Sequence, residues 1–365
     1  MPPKKRVGKI IFRIILILLI LFVVFILGVF TFHKIKRNQE ISLLKEKGYY
    51  NPVSVGDHNL NVAKFGNKNG KHTIIAMAGL GSGDFSVSVR KATTEIEKDN
   101  LIVFPDRAGY GLSDGTDDEM TIEHIVEEYR TVLKNADIQP PYVLMPHSIG
   151  GPYANYWVSK YPDEIEGVVF LDGTPLAEDT FQDIPYHKAD FGDQFQTSLC
   201  KIGLSRLVLR QNNYLYPDDY SDEEQKLGDA LMLITWENVN CVSENGNIAY
   251  NCKTALDDMV TNDVTKLYIC ATSGYDSKES VIENNIWVNE QIKRNGLDLP
   301  MRETDDEMIK TILDACEESR QNTIYPYAEK MGNCEVVLLG GDHQIYQQKP
   351  EECGKIIKDF IDGLD

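Results

Sequence analysis

Apolar positions fall into three patterns along this chain. From Ile10 to Phe32 the run is continuous, with only Arg13 and Thr31 polar, and Ile14 to Phe30 is unbroken. At about 1.5 Å per helical residue, twenty-odd residues cross a hydrocarbon core of roughly 30 Å. A second pattern is a set of short, apolar-rich runs at 72–78, 101–104, 142–145, 166–171, 266–271 and 334–339, most of them closed by glycine, proline or aspartate. Runs of that length with those boundaries predict buried strands. Helical periodicity fills the intervals, at 87–98, 121–135, 152–160, 281–293, 305–320 and 350–360. Strand and helix in alternation predict an α/β domain with a mainly parallel sheet flanked by helices. The alternation breaks between Thr174 and Lys266, a stretch rich in aromatic and acidic side chains with helical character at 204–209 and 223–236. It is too long for a loop and reads as an insertion after the sixth expected strand.

These patterns divide the chain into a basic tail (1–9), a transmembrane anchor (10–32) and a charged helical stalk (33–50). A core in two parts (51–175 and 264–365) follows, with the insertion (176–263) between them. A cleaved signal peptide would have a shorter apolar region of about 7–15 residues and a small-x-small cleavage site. The sequence Gly28-Val-Phe-Thr-Phe-His-Lys offers no such site, so the run reads as a retained, single-pass anchor. Lys4, Lys5, Arg6, Lys9 and Arg13 precede its core, whereas Lys34, Lys36 and Arg37 follow it. That excess sets the N-terminal end in the cytoplasm and the bulk of the chain outside the cell membrane.

Charge excludes one class of partner. The chain holds 37 basic and 56 acidic residues, a net of −19. Eight Lys/Arg and one acid lie in residues 1–40, so the remainder carries a net of −26. A domain that acidic is not expected to bind nucleic acid through phosphate contacts, and its surface as a whole is expected to be repelled by anionic lipid. The seven cysteines include no Cys-x-x-Cys pair, which argues against a zinc or redox motif. Cys241 and Cys252 could close a short loop by disulfide in an oxidising compartment, and Cys270, inside an apolar strand, reads as a buried thiol.

Candidate chemistry centres on Tyr142-Val-Leu-Met-Pro-His-Ser148-Ile-Gly-Gly. Four strand-like residues run into a serine, and glycines open a helix behind it. A serine on so sharp a turn projects its hydroxyl above the sheet edge, the nucleophile elbow usually written Gly-x-Ser-x-Gly. Here Pro146 stands at the first glycine. Its fixed φ suits a turn, but its ring is bulky where strand and helix crowd.

With this elbow stand Ala78-Gly79-Leu80-Gly81, Asp106-Arg-Ala-Gly-Tyr-Gly-Leu-Ser113 and the terminal Gly-Asp-His343-Gln-Ile-Tyr. In this order and spacing the chain after its stalk resembles the α/β-hydrolase superfamily. The resemblance implies a serine hydrolase with the insertion as cap or lid. Serine needs an imidazole to take its proton, and the imidazole needs an acid to orient it. His343 follows the last strand on a Gly-rich loop and is the expected base. His147 is expected to pack in the elbow; His33, His58, His72, His124 and His187 read as surface or element-end residues. The backbone N–H groups of Leu80 and Ile149 are the expected oxyanion donors. Many relatives carry histidine where Ala78 stands, a change that leaves the backbone donor in place.

Two aspartates compete for the acid. Asp172 ends the sixth strand directly; Asp276 lies on the loop after the seventh, the family's usual place, and leads into a long excursion. Asp172 is preferred, with Asp276 the alternative. Asp106 reads as a turn residue. Tyr214, Tyr216, Tyr220 and Trp236 either line an apolar pocket or are core. The reading that results is a membrane-anchored, esterase- or lipase-like enzyme acting on a small-molecule or lipid acyl substrate, with no metal or organic cofactor. Dehalogenases of the superfamily carry aspartate at the elbow, which Ser148 argues against. Acyl transfer, amide or thioester cleavage on the same residues, and a non-catalytic binding module on a hydrolase scaffold, are the alternatives.

Overall fold

The computed structural model describes residues 4–177, 181, 184–209, 216–217, 219–272, 275, 277–294, 299–302 and 305–364. Helix α1 (Lys4–Glu46) leads into the strands β1 (Pro52–Ser54), β2 (Asn59–Gly66) and β3 (Thr73–Met77). Short helices α2 (Phe85–Ser88) and α3 (Arg90–Thr93) precede β4 (Leu101–Pro105), and α4 (Ile122–Asn135), β5 (Tyr142–Pro146), α5 (Gly150–Lys160) and β6 (Ile165–Leu171) follow. The cap comprises α6 (Phe191–Lys201), α7 (Ser205–Leu209), α8 (Asp222–Trp236), α9 (Val239–Gly246) and α10 (Ile248–Asp257). The chain then returns through β7 (Thr265–Ala271), α11 (Lys278–Arg294), α12 (Asp306–Asn322), α13 (Ile324–Met331), β8 (Cys334–Leu339), α14 (Ile345–Gln348) and α15 (Pro350–Asp362).

The eight strands form one sheet in the order β1-β2-β4-β3-β5-β6-β7-β8. β2 pairs antiparallel with β1 and β4, and every other pair is parallel. Alternate side chains face opposite ways, as the pleat requires. Ile75, Met77, Val103, Leu144, Val168, Phe170 and Tyr268 pack under α4, α5, α10 and α13. Ile74, Ala76, Ile102, Val143, Met145, Val169 and Ile269 pack under α2, α3, α14 and α15. Each fully buried aliphatic side chain contributes roughly 1.5–3 kcal/mol, so both faces of the sheet are anchored.

Three expectations change, two of them in the core and cap. The helix expected over 87–98 is broken into α2, α3 and a 3-10 turn at Ile96–Lys98. The Ser88 carbonyl is taken by the Tyr220 hydroxyl of the cap, at 2.6 Å, and the Ala92 N–H turns to the Val89 carbonyl instead. Cys241 and Cys252 are free thiols on different helices, both buried, and form no disulfide. Cys270 is a buried thiol in β7, as its apolar strand implies.

Helix α1 is long and apolar enough to cross a membrane, and its large side chains from Ile10 to Phe25 stand exposed. Its far end does not stand free as a stalk. Leu44 is fully buried and packs with Leu227, Ala230, Leu231 and Ile234 of α8 and Val87 of α2. About three turns nearer the apolar span, His33 is also fully buried, contrary to the surface or element-end position its sequence context suggested. Its Nδ1 accepts from Arg206 Nε at 2.9 Å, and its Nε2 lies 3.1 Å from Glu237. Arg206 also forks onto the Glu40 carboxylate, and Arg37 donates to Glu237 at 3.0 Å. These bonds weld α1 to the cap. Arg206→Ala strands His33 and Glu40 without their partner and should cost about 1–3 kcal/mol. Thermal unfolding of the full chain in detergent checks this, and an unchanged midpoint would refute the welded junction.

Candidate active site

The turn between β5 and α5 forces Ser148 to φ 54°, a left-handed conformation that non-glycine residues rarely hold. Its surroundings leave it no other choice. The Ser148 carbonyl accepts from Gly151 and from Thr174, at 2.8 and 2.9 Å, and the His147 N–H donates to Met77 at 3.0 Å. Small residues are obligatory around it: a Cβ on Gly150 would stand 2.8 Å from the Met77 carbonyl, and one on Gly79 2.7 Å from the His147 ring. Pro146 sits buried at the end of β5 and does not prevent the turn.

Asp172, at the carboxyl end of β6, is the second residue with positive φ at this edge, at 45°. Its N–H donates to Ile269 at 2.8 Å, and its Oδ1 accepts from the Ala271 N–H at 2.9 Å. The other oxygen, Oδ2, lies 2.6 Å from His343 Nδ1. A carboxylate accepting from Nδ1–H leaves Nε2 of His343 with a lone pair. His343 itself is about half exposed, on the loop between β8 and α14. Asp276 lies outside the described residues. Ser148 Oγ makes no hydrogen bond among the described residues, and proton-transfer contacts commonly tighten only with substrate bound.

His147 does more than pack. Its Nε2 donates to the His343 carbonyl at 2.9 Å, so the residue beside the serine holds the loop of the imidazole. The ring is buried among Phe85, Tyr346 and His343, and its Nδ1 has no hydrogen-bond partner. Burial, with the His343 ring adding to it, pushes its pKa down to about 3.

Among the described residues the N–H groups of Leu80 and Ile149 donate to no protein acceptor, which leaves both free for a bound oxyanion. The loop that carries Leu80 is set by a residue of the Asp106–Ser113 turn for which the sequence alone suggests no role. Arg107, only 2% exposed, donates from Nη1 to the Ala78 carbonyl at 2.7 Å and from Nη2 to the Gly79 carbonyl at 2.9 Å. Its Nε donates to Glu244 of α9, which is fully buried, at 3.1 Å. Tyr153 of α5 donates to the other Glu244 oxygen at 2.8 Å. One guanidinium thus joins the Leu80 loop, the cap and α5. An arginine in a Gly-rich turn was visible in the sequence; its partner, 137 positions away, was not.

Other candidates fall into structural roles. Asp106 accepts from Leu112 N–H and Asn61 Nδ2, both at 3.0 Å, and burial raises its pKa to about 7. Tyr216 and Tyr220 tie the cap to Asp84 and to the Ser88 carbonyl, Trp236 is half-buried, and Tyr214 lies outside the described residues. His187, Asp190 and Asp193 bring ligand atoms within 4.8 Å of one another. Asp190 and Asp193 form the N-terminal capping box of α6, and Nε2 of His187 meets the Asp193 oxygen at 3.2 Å.

Comparison with known proteins bears on the fold that carries these residues. A family model described as the alpha/beta hydrolase fold matches residues 92–203. The uncharacterised Bacillus subtilis protein YbdG is 37% identical over 156 residues, covering 42% of this chain and 47% of its own. The chain spans under half the length of the curated relatives it matches. Among solved structures, a putative lipase from Acinetobacter baumannii superposes with a TM-score of 0.54 at 14% identity, over 89% of this chain and 95% of its own. The haloalkane dehalogenase DbeA from Bradyrhizobium elkani gives 0.51 at 14% identity, over 86% and 97%.

Two outcomes follow from these contacts. Arg107→Met leaves Glu244 buried without its cation and should cost about 3–5 kcal/mol, while adding Glu244→Leu should recover much of it. Denaturant unfolding of the four members of that cycle reads the coupling. His147 has a folded pKa below its ordinary 6.5, so it contributes stability above pH 6.5 that is lost as pH falls toward 3. His147→Gln keeps an N–H donor and cannot titrate. Its unfolding midpoint should therefore fall less steeply than wild type between pH 6.5 and 4, and parallel slopes would contradict a buried neutral ring.

Proposed function

This chain has the α/β-hydrolase fold, and from that premise we propose that it is a membrane-anchored serine hydrolase. It cleaves an ester or related acyl bond through an acyl-enzyme on Ser148. The observation that carries the reading is the 2.6 Å contact between Asp172 and His343 at the sheet edge where Ser148 is held in its strained turn.

Each group has one task. Asp172 accepts from His343 Nδ1–H and keeps the Nε2 lone pair available. That nitrogen takes the Ser148 proton as Oγ attacks the acyl carbonyl, and returns it to the leaving alcohol as the tetrahedral intermediate collapses. Leu80 and Ile149 N–H groups bind the oxyanion, where preorganised donors are worth most. Water deprotonated by His343 then attacks the acyl-enzyme and releases the acid, restoring Ser148. His147 and Arg107 touch none of the reacting atoms and are positioning residues. Helix α1 supports the anchoring half of the proposal by its length and apolar, exposed surface.

Labelling of the full chain with a fluorophosphonate probe tests the proposal. Wild type should label and Ser148→Ala should not; His343→Ala and Asp172→Asn should slow labelling and p-nitrophenyl ester turnover on the order of a thousandfold or more. Turnover surviving Asp172→Asn but lost in Asp276→Asn would move the acid to Asp276. A folded wild type that never labels would replace the enzyme with a binding module.

A further inference from the structure

Helix α1 and the cap leave a cleft of about 460 Å³ between them, walled by residues from Phe32 to Leu43 on one side and by α7 and α8 on the other. Its lining alternates apolar side chains with charge. Phe32, Leu207, Leu227 and Leu233 give it a greasy surface; Leu227 and Leu233 are buried, whereas Phe32 and Leu207 are each 45% exposed. Arg206 and Glu40 also reach it, but they are spent on each other. That leaves two lysines, Lys36 and Lys226, against one carboxylate, Asp229. Among the described residues neither lysine has a protein partner.

Position gives these groups meaning. Phe32 is the last residue of the apolar span, and Lys36 lies one helical turn beyond it, about 6 Å along the axis. If α1 crosses the bilayer as proposed above, Lys36 stands at the level of the lipid phosphates, with an apolar wall at its side that opens toward the acyl chains. The domain beyond is acidic as a whole, but the cleft itself holds two lysines against one carboxylate, and a cation at that depth, backed by greasy surface, suits one ligand chemistry. We propose that the cleft between α1 and the cap is a binding site for an anionic phospholipid, its phosphate on Lys36, its headgroup reaching toward Lys226, and its upper acyl segment against Phe32 and Leu207. Nothing in the proposed acyl chemistry requires this lipid. It is a second ligand, held on the seam where α1 meets the cap.

The inference rests on the anchoring reading, and the test separates the two. Full chain in detergent is titrated with dioctanoyl phosphatidylglycerol, dioctanoyl phosphatidylcholine and inorganic phosphate, followed by native mass spectrometry. Phosphatidylglycerol should bind in preference to both, and Lys36→Glu and Lys226→Glu should each weaken it about fivefold while fluorophosphonate labelling stays as in wild type. Lys34→Glu is the control: it makes the same charge change within about 3 Å of Lys36 along the helix axis, but Lys34 does not line the cleft. Equal loss in Lys34→Glu and Lys36→Glu, or no preference over phosphatidylcholine, overturns the site, and binding of phosphate alone overturns its lipid character. Extraction of the chain from membranes by alkaline carbonate would overturn the anchoring reading itself.

Discussion

A single buried guanidinium organises the upper face of this protein. Arg107 donates to the two carbonyls that precede Leu80, and its third side pairs with Glu244 in the cap. Taking both charges out of water is expensive, and only full hydrogen bonding offsets that cost. The pair meets that condition because Tyr153 occupies the second carboxylate oxygen and Tyr110 stacks on the guanidinium at 4.2 Å. Consequently the cap is not a hinged cover laid over the core. Thr235 receives the Gly111 N–H at 2.8 Å, Asn251 receives that of Ile122 at 2.9 Å, and Tyr216 reaches Asp84. The described part of the cap is as much a wall of the site as the sheet edge is.

Two of the four non-glycine residues with positive φ among the described residues lie where that wall meets the sheet. Ser148 and Asp172 both hold positive φ, at a cost of order 1–3 kcal/mol each. Neither can relax, because backbone bonds from Thr174, Gly151 and Ile269 fix their peptide groups. Thr174 lies two residues beyond Asp172 and bonds the Ser148 carbonyl, so the two strained turns brace each other. His147 adds the third strut, linking the elbow to the loop of His343. Three loops from three strands are thereby held in one frame without any of them belonging to regular structure.

Much of this was legible in the residues. Short apolar runs such as 101–104 and 142–145 marked the buried strands, and the residues that close those runs marked the loops that carry Leu80, Ser148, Asp172 and His343. The strands β1 and β2 were not read because they are short or partly polar and lie at an antiparallel edge, where burial writes no continuous apolar run. Arg107 and Glu244 escaped for another reason. A buried ion pair is a property of two distant positions, and each alone looks like an ordinary surface charge. His33 was misjudged likewise: its burial comes from cap residues Arg206 and Glu237, nearly two hundred positions on.

The continuity of α1 carries a geometric consequence. A flexible tether tolerates added or lost residues because only its mean reach changes. A helix welded at His33, Arg37, Glu40 and Leu44 has no such latitude. Each residue inserted between Phe32 and the welded positions would turn the docking stripe by about 100° and lift it by about 1.5 Å. The helix therefore acts as a keyed shaft rather than a leash: its rotational phase, and not only its length, is part of the structure that the cap and the Leu80 loop inherit.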